Sequence, residues 1–191
     1  MTNKGIVYFS KFPVTSQVFY RSNYSFALVN LKPIVPGHVL VCPLRVVARL
    51  KELTSEESVD FILTVQKIHE FIEKMYKADA LNISIQDGPS AGQSVPHLHA
   101  HIIPRYKKDE YGDGIYDKLD QFNFELSDIL IEHQKIKIAK EKNYDPNEYK
   151  RKQMVVSPDI ERKPRSMEVM ENEAKWLENE LRKFKLVQVN L

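Results

Sequence analysis

The chain has 191 residues, with 28 lysines and arginines against 26 aspartates and glutamates, and 42% of its residues are hydrophobic. This length and composition predict one ordered domain with a sizeable core and exclude a wholly disordered chain. The formal net charge of +2 gives no reason to expect a nucleic acid or an anionic membrane as a partner, and a single cysteine excludes a disulfide framework.

Neither the first twelve residues nor the long apolar run 34–48 has the pattern of a targeting signal or a membrane span. The first twelve residues contain no basic stretch leading into an apolar one, so no secretion signal is predicted. The apolar run 34–48 is interrupted by Pro36, Gly37, Pro43 and Arg45, and is too broken to span a bilayer. The expected location is therefore the cytoplasm, with the nucleus and a mitochondrial pool left open.

The first readable elements are two strands. Residues 25–30 and 38–42 are rich in β-forming apolar side chains, and a segment with Pro33, Pro36 and Gly37 separates them. Such a segment favours a turn, so the two strands are predicted to pair antiparallel.

A helix is predicted next, because Thr54 and Glu57 have the spacing of a capping box. We expect its turns to be marked by a core-facing series: Val59, Ile62, Leu63, Gln66, His69, Ile72 and Met75 or Tyr76. After this helix, apolar residues at 81, 83 and 85 alternate with polar ones at 82, 84 and 86, which predicts a strand.

The carboxyl-terminal third differs in composition. Residues 132–165 hold ten basic and six acidic side chains and three prolines, and they are predicted to be a mobile basic insertion within the single domain 1–191. Residues 166–185 show apolar spacings of three and four, which predict a closing helix docked on the chain's own core or on a second copy of the chain. Antiparallel strands with few helices place the fold in the α+β class.

Three of the six histidines, His97, His99 and His101, alternate with apolar residues. In a strand this alternation puts the three imidazoles on one face, about 6.5–7 Å apart. An apolar strand gains nothing from such a row unless the imidazoles meet a ligand.

Two ligands suit the row, a metal ion and a phosphate. Two alternate histidines can share one ion, but a third diverges from it, and no acidic residue or cysteine lies within the motif to complete a ligand set. In phosphate chemistry, one imidazole attacks phosphorus while its neighbours donate hydrogen bonds to the phosphate oxygens. The preceding segment favours phosphate, because Gly88 and Gly92 let backbone N–H groups approach an anion and Gln93 and Ser94 add uncharged donors.

These motifs together resemble the histidine triad family. His-Leu-His-Ala-His-Ile-Ile matches the family's histidine motif, and the segments 25–30, 35–45, 86–89 and 91–93 resemble the fragile histidine triad branch, whose members hydrolyse dinucleoside polyphosphates. The resemblance runs almost continuously from about residue 9 to residue 116, and residues 166–184 resemble the branch's closing helix.

The resemblance implies a fold and a set of residue roles. The fold would be an antiparallel five-stranded sheet with helices packed on it, continued across a homodimer into about ten strands. His99 would be the nucleophile that becomes nucleotidylated, His101 would contact the attacked phosphate, and His97 and His38 would order the histidine network. Substrate binding would fall to a further set: Asn30, Gln86, Gly92, Gln93, Ser94 and Val95.

The implied reaction is hydrolysis of diadenosine triphosphate to AMP and ADP, with Mg²⁺ or Mn²⁺ accompanying the substrate phosphates and no dedicated metal ligands on the protein. The family's early substrate-binding histidine falls at Lys11 here. Two alternatives stay open: a nucleoside phosphoramidase, and a dinucleotide-binding signalling module whose turnover ends the signal.

Overall fold

The protein is seen in a computed structural model that describes residues 5–109, 111–120 and 164–188, with side chains described up to 119 and 184 in the last two ranges. Within these residues, no helix combines the length and the apolar character that crossing a bilayer requires. The insertion predicted at 132–165 lies outside the described residues except for its last two positions.

The framework is an antiparallel five-stranded sheet, which confirms the predicted fold class. A two-stranded hairpin, β1 (Tyr8–Phe9) and β2 (Phe12–Pro13), precedes it. The sheet strands are β3 (Val18–Arg21), β4 (Ser25–Val29), β5 (Val39–Pro43), β6 (Ala80–Ile85) and β7 (Ala100–Arg105). Their order across the sheet is β3-β4-β5-β7-β6, and every neighbouring pair is antiparallel.

The pairing of β4 with β5 confirms the hairpin predicted from the proline-rich turn. Asn30 follows the last residue of β4 and His38 precedes the first residue of β5, so the turn brings these two polar residues side by side. Gly37 adopts a φ of +83°, a left-handed backbone conformation that residues other than glycine rarely adopt.

Helix α1 (Ser55–Tyr76) begins at the predicted capping box, with Thr54 and Glu57 each accepting a hydrogen bond from the other's backbone N–H. The predicted core-facing series is wrong in its first half. Val59, Ile62 and Leu63 are 60%, 54% and 58% exposed, and the buried face is formed by other residues: Phe61, Val65, Ile68, Phe71 and Ile72. The helix has apolar residues on two sides, so periodicity alone did not select the side that meets the sheet.

The described residues contain two further α-helices, α2 (Gly114–Asp120) and α3 (Met167–Gln188). The buried stripe of α3 consists of Met170, Ala174, Leu177 and Leu181, and it packs on β3, β4 and the 3-10 helix Thr15–Gln17. The apolar stripe of this closing helix therefore packs on the chain's own core.

Candidate active site

A cleft lies over the sheet where β4, β5 and β7 meet. The register aligns Leu28 with Leu40 and Leu40 with His101, so these three side chains form one row across the sheet. Most of the residues that line the cleft are apolar, and the others are polar: Phe9, Val14, Gln17, Leu28, Val29, Asn30, Leu31, Leu40, Ser94, Val95, His99 and His101. Such a lining suits a ligand that has a flat apolar part and an anionic part.

The predicted histidine strand starts later than expected, after a turn in which the backbone N–H of His97 donates to Val95 O at 2.8 Å. Strand β7 begins at Ala100, so His97 and His99 precede it. The backbone N–H of Leu98 donates to Val47 O at 2.6 Å instead of to β5, and Pro43 O of β5 is bonded by the ring of His97 at 2.9 Å. At this end of β5, the imidazole of His97 thus takes the place of a backbone N–H of a neighbouring strand as the donor to Pro43 O.

His99 presents a nucleophilic nitrogen. Its Nδ1 lies 2.7 Å from the carbonyl oxygen of His97, which can only accept, so Nδ1 carries the hydrogen and donates it. The neutral ring then has its lone pair on Nε2. Burial lowers the pKa of His99, against the opposing effect of the bond to His97 O, so the ring stays neutral and nucleophilic near pH 7.

His101 is held in the opposite tautomer by His38. The backbone N–H of Ile34 donates to His38 Nδ1 at 3.1 Å, so the hydrogen of His38 lies on Nε2. His38 Nε2 is 2.9 Å from His101 Nδ1, which therefore accepts. The hydrogen of His101 is then on Nε2, where it suits donation to a phosphate oxygen. The amide nitrogen of Asn30 lies 3.1 Å from His38 Nε2, and because both groups are donors in this tautomer the contact is not a hydrogen bond.

Both ring nitrogens of His97 are bonded to the protein backbone. Its Nδ1 accepts from the backbone N–H of Ser10 at 2.9 Å and its Nε2 donates to Pro43 O, so both ring nitrogens are occupied. The ring is fully buried and stacks on Phe9, with centroids 5.5 Å apart. Burial lowers its pKa to about 4. A ring with both nitrogens occupied is suited to hold the network and unsuited to ligate a metal.

The loop before the histidines is tied to the segment that follows β5. Gly88 (φ +108°) and Gly92 (φ +85°) shape it, and an added Cβ at Gly88 would lie 2.9 Å from the guanidinium of Arg49. Asp87 accepts from Arg49 at 3.1 Å and from the backbone N–H of Leu50 at 2.8 Å, while Gln93 Nε2 donates to Ala48 O at 2.7 Å. These contacts fix the loop against the residues around Arg49.

The structure brings together part of the predicted substrate set. Five predicted residues line the cleft: Asn30, Ser94, Val95, His99 and His101. His38 and His97 lie behind them as a supporting layer. Gln86 is buried, and Gln86, Gly92 and Gln93 are not in the lining. Lys11, at the position of the family's early histidine, is exposed and lies over the ring of Phe12, 5.5 Å from its centroid.

Sequence reasoning missed the apolar wall and one polar residue. Phe9 makes an edge contact with His99 at 5.4 Å, and Val14 lines the cleft beside it. Gln17 also lines the cleft although it is only 3% exposed, and its Nε2 donates to Met167 Sδ at 3.7 Å. No sequence pattern connects these amino-terminal residues to the histidines; the hairpin β1–β2 places them there.

Comparison with known proteins places the chain among histidine triad proteins. The model of the HIT domain family matches residues 11–108. A Saccharomyces cerevisiae protein named bis(5'-adenosyl)-triphosphatase is 50% identical, with 93% of each chain covered. A Schizosaccharomyces pombe protein named bis(5'-nucleosyl)-tetraphosphatase [asymmetrical] is 48% identical, with 90% of this chain and 92% of the relative covered.

Solved structures agree on the fold. The Plasmodium falciparum diadenosine triphosphate hydrolase, solved with cyclomarin A, superposes with a TM-score of 0.64 at 24% identity, covering 96% of this chain and 90% of that chain. The C. elegans NitFhit protein gives a TM-score of 0.54 at 38% identity, covering 62% of this chain and 30% of that chain.

Proposed function

This chain belongs to the HIT domain family, and from that premise we propose that it hydrolyses diadenosine polyphosphates, cleaving diadenosine triphosphate to AMP and ADP. The observation that carries the proposal is the hydrogen bond from His99 Nδ1 to His97 O, which leaves the His99 Nε2 lone pair available in a cleft with an apolar wall. The names of the two curated relatives, both nucleotide phosphohydrolases, support the substrate class.

In the first step, His99 Nε2 attacks the α-phosphorus of the substrate. An N–P bond forms, the P–O bond to the leaving ADP breaks, and AMP is left on the histidine. The ring becomes more positive as the bond forms, and the donation from Nδ1 to the His97 carbonyl stabilises that charge. His101 and Ser94 line the same cleft, and we propose that His101 Nε2–H and the Ser94 hydroxyl donate to the phosphate oxygens.

In the second step, water attacks the same phosphorus and the N–P bond breaks. The oxygen of the water stays on AMP and its protons pass to solvent, while the electron pair of the N–P bond returns to Nε2 and restores the neutral tautomer of His99. The apolar residues Phe9, Val14 and Leu28 are suited to pack against the adenine, and Asn30 is suited to bind the ribose hydroxyls.

A divalent cation, Mg²⁺ or Mn²⁺, is proposed to arrive with the substrate. The described residues contain no group of three histidine, cysteine, aspartate or glutamate side chains placed to hold a metal. The triad offers a metal at most one ring lone pair, on His99 Nε2, because His97 uses both nitrogens within the protein and the hydrogen of His101 lies on Nε2. The ion would take phosphate oxygens and water as ligands and neutralise charge on the leaving group.

We also propose a homodimer. Strand β6 ends the sheet, and Ile83 on it is 48% exposed. On α1, which packs against β6, the apolar residues Val59, Ile62 and Leu63 form a second exposed patch. A second copy that pairs its β6 with this one would continue the sheet and cover both patches.

Product analysis in H₂¹⁸O tests the proposed reaction. Diadenosine triphosphate, diadenosine tetraphosphate and adenosine 5′-phosphoramidate are compared at equal concentration with Mg²⁺. We expect AMP and ADP from the triphosphate, with the label in AMP, and slower release of ammonia from the phosphoramidate. If kcat/KM is higher for the tetraphosphate than for the triphosphate, the preferred substrate is instead the tetraphosphate, as in the name of the S. pombe relative. Preference for the phosphoramidate would refute it.

A further inference from the structure

The turn that carries Asn30 and His38, here called the 30–38 turn, is held by Arg165, a residue that precedes α3 and is not in the lining of the cleft. Arg165 donates from Nε to the backbone carbonyl of Asn30 at 3.0 Å, and its Nη2 donates to the same oxygen. The backbone N–H of Arg165 donates to Leu31 O at 3.0 Å. Two consecutive carbonyls at the first end of the turn are therefore fixed by one residue that lies 135 positions away in the chain.

The guanidinium of Arg165 is itself fixed by a buried carboxylate. Its Nη1 lies 2.5 Å from Glu173 Oε2, and the two side chains are only 10% and 4% exposed. Because the fork-shaped guanidinium has donors in fixed directions, it can hold the Asn30 carbonyl and the Glu173 carboxylate at the same time.

Tyr76 links this pair to the other end of the turn. Its hydroxyl donates to Glu173 Oε1 at 3.2 Å. Its ring lies directly against Gly37, where an added Cβ would come within 2.7 Å of a ring carbon. Burial and the neighbouring Glu173 raise the pKa of Tyr76, so the phenol keeps its hydrogen and remains a donor. Both ends of the 30–38 turn thus rest on one network of three side chains.

The energetics favour a geometric role for the network. A buried ion pair often stabilises a fold no more than apolar residues of the same volume would, because each ion loses its hydration. Such a pair does fix the orientation of its side chains. Here the fixed guanidinium of Arg165 holds the backbone carbonyl of Asn30, whose side chain lines the cleft.

We propose that Arg165 is a positioning residue for nucleotide binding, which sets the place of the Asn30 side chain against the ribose hydroxyls. This inference rests on the proposed function for the identity of the ligand. Loss of the Arg165 fork would let the first end of the turn shift, and the Asn30 amide would lose its alignment with the 2′-hydroxyl while the phosphate contacts of His101 and Ser94 stayed in place.

The test measures binding of AMP and of 2′-deoxy-AMP by calorimetry, which requires no turnover. The variants are Arg165→Lys, which keeps the charge and loses the fork, and Tyr76→Phe, which keeps the ring on Gly37 and loses the donor to Glu173. The matched control is Arg182→Lys on α3, where the arginine is exposed and pairs with Glu178 at 2.7 Å.

We expect wild-type protein and Arg182→Lys to bind AMP more tightly than 2′-deoxy-AMP. In Arg165→Lys this ratio should fall about fivefold or more, and in Tyr76→Phe by a smaller factor, since one neutral hydrogen bond is at stake. A role confined to stability would lower the melting temperature and leave the ratio unchanged.

Three results would overturn the inference: an unchanged ratio in a folded Arg165→Lys, no ribose preference in the wild type, or, if Arg165→Lys does not fold, an unchanged ratio in Tyr76→Phe. Failure of the proposed function is seen separately, as absence of diadenosine triphosphate hydrolysis by the wild type.

Discussion

The buried histidines make the free energy of unfolding depend on pH between about pH 6.5 and pH 4, a range in which few other side chains titrate. His97 is fully buried with a pKa of about 4 in the folded protein, against about 6.5 in an unfolded chain. Between these values the unfolded chain takes up a proton that the folded protein refuses, so the free energy of unfolding falls as the pH falls. The loss starts near pH 6.5 and is complete below pH 4.

The size of the effect follows from the shift. One pKa unit corresponds to about 1.4 kcal/mol, so His97 alone contributes about 3 kcal/mol that is lost by pH 4, of which about 2 kcal/mol is lost between pH 7 and pH 5. His99, whose pKa is also lowered by burial, adds a loss of the same sign. The carboxylates of Glu57 and Asp109, with pKa values of about 2, lose their contribution at lower pH, as the pH falls from about 4, where unfolded carboxyl groups titrate, to about 2.

Urea unfolding at pH 7.0, 6.0 and 5.0 measures this directly, with NMR titration of the imidazoles to assign the protons. We expect a decrease of about 2 to 4 kcal/mol between pH 7 and pH 5, and a clearly smaller decrease in His97→Asn. A free energy of unfolding that is constant over this range, or a native His97 that titrates near pH 6.5, would refute the reasoning.

Four other outcomes follow from the same geometry. His99→Asn should lower kcat by about 10⁴ or more, equivalent to about 5 kcal/mol of barrier, with little change in substrate binding; rapid quench with α-labelled substrate should find no phosphoramidate, and near-normal turnover would contradict the role. In the wild type, kcat/KM should stay constant on the acid side down to below pH 6.5, because burial lowers the pKa of His99; an acid limb above pH 6.5 would contradict this. Gly37→Ala should lower the free energy of unfolding by about 1–3 kcal/mol in urea titrations, since the site combines a positive φ with contact to Tyr76, and a neutral result would contradict the packing. Leu63→Glu should sediment as a monomer, whereas the exposed Asn179→Glu, which makes the same charge change, should stay dimeric; a dimeric Leu63→Glu would exclude the α1 patch from the interface.

The parts of the fold that the sequence predicted are those specified by local chemistry. The turn between Asn30 and His38 needs proline and glycine, and a capping box at Thr54 needs a particular spacing, so both can be recognised without knowing the rest of the chain. The apolar residues of α1 carry no such information. Leu63 and Ile68 are equally apolar, yet one is exposed and the other is buried on the sheet, and only the three-dimensional partner distinguishes them.

The same limit applies to the arginine that follows the predicted insertion. Arg165 belongs to a basic segment whose composition predicted a mobile insertion. The charge of one arginine does not reveal that it will form a buried ion pair with a carboxylate on α3. Its contact with Asn30 joins residues that no motif relates. Long-range contacts of this kind depend on how α3 packs against β4, which is a property of the whole core.

The roles of the histidines separate for a related reason. In the sequence, His97, His99 and His101 are three identical side chains in alternation, and the pattern says only that they act together. What differs is the partner of each ring nitrogen: a backbone N–H and a carbonyl for His97, one carbonyl for His99, and the imidazole of His38 for His101. A nitrogen that donates to a carbonyl makes the opposite nitrogen a nucleophile, and a nitrogen that accepts from an imidazole makes the opposite nitrogen a donor. The division between attacking the phosphorus and donating to its oxygens is therefore set by the neighbours of the triad, and exchanging those neighbours would exchange the chemistry.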